Sequence, residues 1–161
     1  MRFSPVIAVL IALAAGPALS QEVAFGGLKA DANAPVEITS DSLSVNQSDG
    51  SAVFKGNVLV VQGGLRMQAA QVDVGYAPGD RSKIQTLHAT GGVTLVSPTE
   101  AAESKEAVYD VAAGTVVMTG DVLLTQGESV MSGQKLSVNL RSGTGQMDGR
   151  VRTILQPGTQ K

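Results

Sequence analysis

The amino-acid sequence predicts an all-β protein: an antiparallel sheet of β-hairpins that folds over into a jelly roll or flattened barrel, open at both ends. Two observations support this fold class. One phrase recurs four times between residues 37 and 158, and apolar and polar residues alternate with a period of two inside each copy. Repetition at a nearly constant interval is typical of supersecondary units that share one continuous core.

The clearest copies of the phrase are residues 49–63 and 113–127, which superpose after a shift of 64 residues. Residues 89–98 and 146–155 are weaker copies in the same frame. We place the six-residue excess of the second copy at residues 76–82, where the chain reads YAPGDRS. The glycines that the four copies share are 35, 29 and 29 residues apart: Gly56, Gly91, Gly120 and Gly149.

Two strands are predicted in each copy. After the shared glycine, the second and fourth positions are apolar in seven of eight cases, and the first and third in only two of eight. In the strand upstream, all eight alternate positions are apolar. A helix would mix these sets of positions, so the pattern predicts strands with one buried face and one wetter face.

Turn residues separate the two strands of each copy. Glycine supplies the positive φ that tight hairpin turns need, and Asp-Gly is a favoured pair. A wide sheet with one apolar face has to curl over until its apolar surfaces meet. Neither end shows a polar capping repeat, so both ends are expected to stay open. The turns are Asp49–Gly50, Pro78–Gly79–Asp80, Ala113–Gly114 and Ser142–Gly143.

Residues 98–108, PTEAAESKEAV, fit the pattern least well. Their composition is typical of a helix, whereas the repeat makes them a connection that leads into the strand containing Tyr109. We favour the connection and keep a short helix as the alternative.

The first twenty residues read as a secretory signal. Arg2 is followed by an apolar run at residues 6–15 and by Ala-Leu-Ser before Gln21, so we expect export and cleavage after Ser20. The alternative is an uncleaved membrane anchor, for which the apolar run is short. The predicted divisions are a signal peptide at 1–20, a linker at 21–35, one β domain at 36–156 and a tail at 157–161.

The composition argues against catalysis and against nucleic-acid binding. The chain has no cysteine and a single histidine, His88, which leaves a nucleophilic serine or a metal ion without the usual set of partner residues. Without Arg2, 11 basic and 14 acidic residues remain, and this is not the basic surface that nucleic acid requires. We expect a non-enzyme with no metal and no cofactor, and we expect His88 to be structural or at the surface.

Three stretches resemble the LptA/OstA-like family of periplasmic lipopolysaccharide transport proteins. Residues 36–45 (VEITSDSLSV) and 54–74 (FKGNVLVVQGGLRMQAAQVDV) are similar to the opening of the family domain, and residues 109–127 (YDVAAGTVVMTGDVLLTQG) to its second half. The resemblance implies a twisted β-jellyroll that holds the lipid A acyl chains of lipopolysaccharide in a hydrophobic trough.

The resemblance also implies assembly partners. Edge strands near residues 36–45 and 150–155 would join head to tail with further copies and with LptC-like and LptD-like proteins. The chain of proteins would bridge the inner and outer membranes and serve outer-membrane assembly.

The inward apolar positions are the candidate lipid-binding residues, and we expect a gap between them wide enough for hydrocarbon tails. Two other functions remain open: an LptC-like, membrane-anchored assembly partner, and a structural β-repeat protein whose interior is closed core without ligand. The candidate residues are Ile38, Leu43, Val45, Phe54, Val58, Val60, Leu65, Met67, Val72, Val74, Val93, Leu95, Tyr109, Met118, Val122, Leu124, Leu136 and Val138.

Overall fold

The computed structural model describes residues 23–24, 28–31 and 33–156. Within them the chain forms eleven strands and no helix, which confirms the all-β prediction. The described residues therefore contain no membrane-spanning helix. The predicted signal peptide and tail lie outside the described residues. The strands are β1 (Val23–Ala24), β2 (Glu37–Thr39), β3 (Ser42–Val45), β4 (Ala52–Gln62), β5 (Leu65–Ala77), β6 (Asp80–Val96), β7 (Glu100–Asp110), β8 (Thr115–Gln126), β9 (Ser129–Asn139), β10 (Thr144–Asp148) and β11 (Arg152–Ile154).

All eleven strands belong to one antiparallel sheet whose spatial order largely follows the sequence. The order is β1-β10-β9-β8-β7-β6-β5-β4-β2, with β3 also paired to β4 and β11 also paired to β9. Strands β1 and β2 lie at opposite edges and do not pair with each other, so the sheet is open and not a closed barrel. The predicted antiparallel series of hairpins is confirmed.

The predicted hairpin turns are confirmed as well. The hairpin of β5 and β6 is longer than its counterparts because it continues to its tip with Tyr76 paired to Ile84, and this extension accounts for the six-residue excess. All four turns contain a glycine with φ between 68° and 77°, a backbone region that glycine adopts without strain. These glycines are Gly50, Gly79, Gly114 and Gly143.

The glycines shared by the repeats form a row of β-bulges in the middle of the sheet. Pairing between β4 and β5 passes from Lys55–Gln71 to Val58–Ala69, and the same kind of register shift recurs between the later strands. A bulge bends its strand and increases the local twist. The row of bulges therefore makes a crease across the sheet. Its glycines have φ of 81–85° and are Gly56, Gly91, Gly120 and Gly149.

The sheet is folded along this crease. We call the row of turns near residues 46–51, 78–79, 111–114 and 140–143 the lower rim, and the row near 63–64, 97–99 and 127–128 the upper rim. Tyr109, at the lower-rim end of β7, donates a hydrogen bond to Gln62, at the upper-rim end of β4, although β5 and β6 separate these strands in the sheet. The two halves of the sheet thus face each other, and the rims approach.

The core lies between the two halves. In β8, Val116, Met118, Val122 and Leu124 are buried, whereas Leu123 points outward and is 38% exposed. This is the period of two that the sequence shows, and it means that one apolar face of the sheet forms the whole interior.

Strand β7 corrects the expectation for residues 98–108. Residues 98 and 99 belong to the upper-rim turn, but the rest form neither a helix nor a connection, because Glu100–Asp110 is a regular strand. The strand is paired on both sides, to β6 and to β8, and its small Ala102 and Ala107 are buried at inward positions. Pairing with two neighbours and burial on one face outweigh a weak helical propensity.

The segment predicted as a linker, residues 21–35, takes part in the fold where the structure describes it. Strand β1 pairs with β10. Leu28 is fully buried, and the Ala30 N–H donates to the Leu140 carbonyl over 3.1 Å.

Candidate functional site

The folded sheet gathers most of the predicted lipid-binding residues into one continuous cluster. Fourteen of the eighteen are buried there, and Ile38 and Phe54 are half-buried and packed against it. The fourteen are Val58, Val60, Leu65, Met67, Val72, Val74, Val93, Leu95, Tyr109, Met118, Val122, Leu124, Leu136 and Val138.

Leu43 and Val45 differ from the prediction, because they are 52% and 61% exposed. They lie on the inner face, since Leu43 is paired with Phe54 and Val45 with the buried Ala52. Strand β3, however, lies at an edge and pairs only with β4. The sequence pattern specifies the face correctly, but burial requires a second layer, which no described residue provides at this end.

Eleven further apolar residues of the cluster were missed by the sequence analysis. Five of the six alanines among them lie on the predicted inner face of the strands but are weakly hydrophobic. Leu87 and Val116 each lie one inward position beyond the alternation that was counted, so a longer predicted strand would have included them. Leu28 and Ala30 precede the repeats, and no periodic signal marks them. The eleven are Leu28, Ala30, Ala52, Ala69, Leu87, Ala89, Ala102, Ala107, Val116, Met131 and Leu140.

The interior is closed in this conformation, which corrects the expectation of a gap. Side chains from both halves of the sheet surround a cavity of only about 10 Å³. That is close to the smallest space that holds one water molecule, so a hydrocarbon tail enters only if the halves move apart. The lining residues are Val60, Gln62, Leu65, Met67, Leu95, Tyr109 and Val116.

Polar side chains meet where the two rims approach. The Gln62 side chain accepts the hydrogen bond from Tyr109, and its Nε2 donates to the Ala34 carbonyl over 3.0 Å. Burial raises the pKa of Tyr109 above its ordinary value of 10.0, against the opposing effect of the Arg141 charge. The phenol is therefore neutral and acts as a donor across the interior.

A second glutamine occupies the equivalent place in the third repeat. Gln126 follows Gln62 by 64 residues, but its Nε2 donates to Glu100 Oε1 over 2.5 Å, on the neighbouring strand β7. Glu100 is 4% exposed, and its backbone N–H donates to Ser97 Oγ over 3.1 Å. The upper rim is thus a row of buried and half-buried polar groups along an apolar interior.

Side chains that commonly bind metal ions are not clustered in the part of the chain that the structure describes. No cluster of three or more His, Cys, Asp or Glu side chains that could hold a metal is found there. His88 lies on the outer face, with its Nε2 2.5 Å from Glu106 Oε1 and both side chains more than two-fifths exposed.

The arrangement defines a class: an open, folded antiparallel sheet whose continuous inner face is apolar and whose polar groups lie at the rims. The crystal structure of LptH from Pseudomonas aeruginosa, described as the LptA-homologous periplasmic component of the lipopolysaccharide transport device, has the same fold. The TM-score is 0.71 at 17% sequence identity, covering 80% of this chain and 99% of LptH.

The family follows from the sequence comparisons. Residues 37–144 match the family model described as LptA/(LptD N-terminal domain) LPS transport protein, and the chain belongs to this family. An uncharacterized protein of Rhizobium meliloti (strain 1021) is 31% identical over 99% of this chain and 94% of its own length. The lipopolysaccharide export system protein LptA of Escherichia coli (strain K12) is 28% identical over 79% of this chain and 74% of its own. Because the members of this family are transport proteins, the prediction of a non-enzyme is confirmed.

Proposed function

We propose that this protein binds the acyl chains of lipopolysaccharide between the two halves of its folded sheet and carries the lipid across the periplasm. The observation that supports the proposal most directly is the inner face, which is apolar from the β3 edge to β10. Membership of the family supplies the ligand class, and the resemblance of residues 1–20 to a secretory signal supplies the compartment.

The energetics favour such a path. Burying one methylene contributes about 0.8 kcal/mol, so an acyl chain of about 14 carbons costs roughly 10 kcal/mol when it is exposed to water. Because the interior holds a cavity of about 10 Å³ between the halves, the ligand has to separate the rims. The burial of several chains offsets the core contacts that this opening exposes.

Both edges of the sheet are suited to assembly. Leu43 and Val45 expose apolar surface on β3, while Ile154 and Leu155 are 48% and 70% exposed at the other edge. An exposed strand edge pairs with another strand through main-chain hydrogen bonds. We propose that further copies and LptC-like and LptD-like proteins pair with these edges and so extend the apolar face into a bridge between the membranes.

The closed interior favours one other function, a structural β-repeat protein that assembles without a ligand. The two functions differ in whether lipid touches the inner face. A benzophenone amino acid at Leu43 tests this, because that position faces inward yet has room for the bulky probe, and Ser44 is the matched outward control.

Irradiation of cells that export the protein should give a lipopolysaccharide adduct at position 43 and none at position 44. Adducts at neither position, in a protein that still assembles, would favour the structural function. Equal adducts at both would show that lipid contacts the protein without using the inner face.

A further inference from the structure

A short N-terminal segment connects the two rims. We call residues 28–31 and 33–34 the strap. At the lower rim, the Ala30 N–H donates to the Leu140 carbonyl over 3.1 Å. At the upper rim, Gln62 Nε2 donates to the Ala34 carbonyl over 3.0 Å, and Asp31 and Ala34 lie against Gly63. The strap therefore lies between the free margins of the folded sheet.

The strap places apolar side chains in the interior. Leu28 is fully buried and Ala30 is 9% exposed, and both belong to the same cluster as the candidate lipid-binding residues. Lys29 and Asp31, which alternate with them, are exposed. The inward side of the strap thus fills part of the interior with aliphatic side chains, which are chemically similar to an acyl tail.

We infer that the seat of Leu28 and Ala30 is the entry site for an acyl chain and that the strap is a built-in competitor for it. This inference rests on the proposed function. An acyl chain of a dozen methylenes buries more apolar surface than one leucine and one alanine, so the lipid displaces the strap and the rims part. Without lipid, the strap returns and keeps the interior out of water.

The Tyr109–Gln62 hydrogen bond and the strap act on the same opening. Gln62 accepts from Tyr109 across the rims and donates to the strap, so displacement of the strap removes one of the contacts that orient this side chain. Gln62 thereby couples the opening to the strap.

Hydrogen–deuterium exchange of the full mature protein tests the displacement. We expect the Ala30 amide, protected by its bond to Leu140, to exchange faster by about tenfold or more when purified lipopolysaccharide is added, while amides in the middle of β8 keep their protection. If lipid binds, as seen by native mass spectrometry, and Ala30 remains protected, the inference is wrong and the proposed function stands. If no lipid binds, the proposed function fails and the inference fails with it.

A reversible lock gives an independent test. The Asp31 Cβ lies 3.8 Å from where a Cβ on Gly63 would be, a spacing typical of disulfides, and the chain has no other cysteine. In the Asp31→Cys/Gly63→Cys variant, we expect oxidation to slow lipopolysaccharide uptake by about tenfold relative to the reduced form. The reduced protein carries the same backbone strain at position 63, where φ is +58°, and is the matched control. Equal uptake by the oxidised and reduced forms would overturn the inference.

Discussion

Tyr109 donates a hydrogen bond to Gln62 across the interior of a single sheet, from one rim to the other. Both side chains are almost fully buried, at 3% and 2% exposure. The contact joins residues 47 positions apart on strands that are not neighbours. It is therefore a direct marker of the closed state of the fold.

Replacing Tyr109 with phenylalanine should weaken this closure while the ring keeps its packing. Removing one buried hydrogen bond costs about 1 kcal/mol of the free energy of unfolding, measured by urea denaturation. Tyr76, the other tyrosine, is half-buried against the core, and Tyr76→Phe is the control, with a change below about 0.5 kcal/mol. Equal losses in the two variants would show that the Tyr109 hydroxyl does not hold the rims together.

The same residue predicts a response to alkaline pH. Burial raises the pKa of Tyr109 in the folded protein above 10.0. The contribution of the protonated hydroxyl to the free energy of unfolding is therefore fully present below pH 10.0. It is lost as the pH rises through the folded pKa, because the unfolded chain releases this proton first. Between about pH 9 and about pH 11 the wild type should therefore lose more stability than Tyr109→Phe, in urea titrations at each pH. Parallel losses would contradict the assignment.

At the crease, we expect alanine substitutions of two adjacent glycines to lower the free energy of unfolding by different amounts. Gly91 and Gly92 both have positive φ, at 82° and 87°, but a Cβ on Gly91 would lie 2.5 Å from Ala70 Cβ whereas a Cβ on Gly92 meets nothing within 4 Å. Gly92→Ala should cost about 1–2 kcal/mol for the backbone alone. Gly91→Ala should cost about 1–3 kcal/mol more, through overpacking.

A rescue variant separates the two causes. Ala70→Gly combined with Gly91→Ala removes the opposing methyl group and should recover part of the loss, measured against Ala70→Gly alone by urea denaturation. No recovery would mean that the crease depends on backbone conformation and not on close approach of the strands.

On the outer face at the crease, the structure predicts a lowered pKa for the Asp121 carboxyl group. The hydrogen bond from Lys105, whose Nζ lies 2.6 Å from Asp121 Oδ2, lowers the pKa of Asp121 below 3.8, with a further contribution from Gln134. Lys105→Gln should raise that pKa toward its ordinary value, as followed by NMR titration of the side-chain carboxyl. Asp80, whose pKa is lowered chiefly by Ser82, should not change. An unchanged Asp121 pKa would show that the ion pair is not formed in solution.

We expect self-association to depend on the exposed β3 edge. Leu43→Lys places a charge on apolar surface of the β3 edge, where Leu43 is 52% exposed, and should reduce self-association while the unfolding midpoint changes little. Leu123→Lys, at a 38% exposed position on the outer face in the middle of the sheet, is the control and should assemble like the wild type. Sedimentation velocity measures both. Loss of assembly in both variants would point to net charge, not to the edge.

The order of hairpins, the inner face of each strand and the position of the long hairpin were predictable because they depend on neighbours in sequence. A period of two specifies which side chains share a face, and glycine specifies where the chain turns back. Val58, Val93 and Val122 were assigned to the interior on this basis alone, and the structure places them there. Val151, at the equivalent position of the fourth repeat, is 48% exposed.

Other properties depended on contacts between distant residues. Residues 98–108 have the composition of a helix, but pairing with β6 and β8 makes Glu100–Asp110 a strand. Leu43 has the pattern of a core residue, but it lies at an edge without a covering layer. No periodic pattern in the sequence indicates the Tyr109–Gln62 hydrogen bond or the burial of Leu28.

The sequence by itself determined the hairpins and the apolar face, since alternation and turn chemistry act over a few residues. Only the tertiary structure decided that the face closes on itself, with almost no space left inside and a strap between the rims. Closure depends on how far the bulges bend the sheet and on which distant side chains then meet, and neither quantity is encoded in a local pattern.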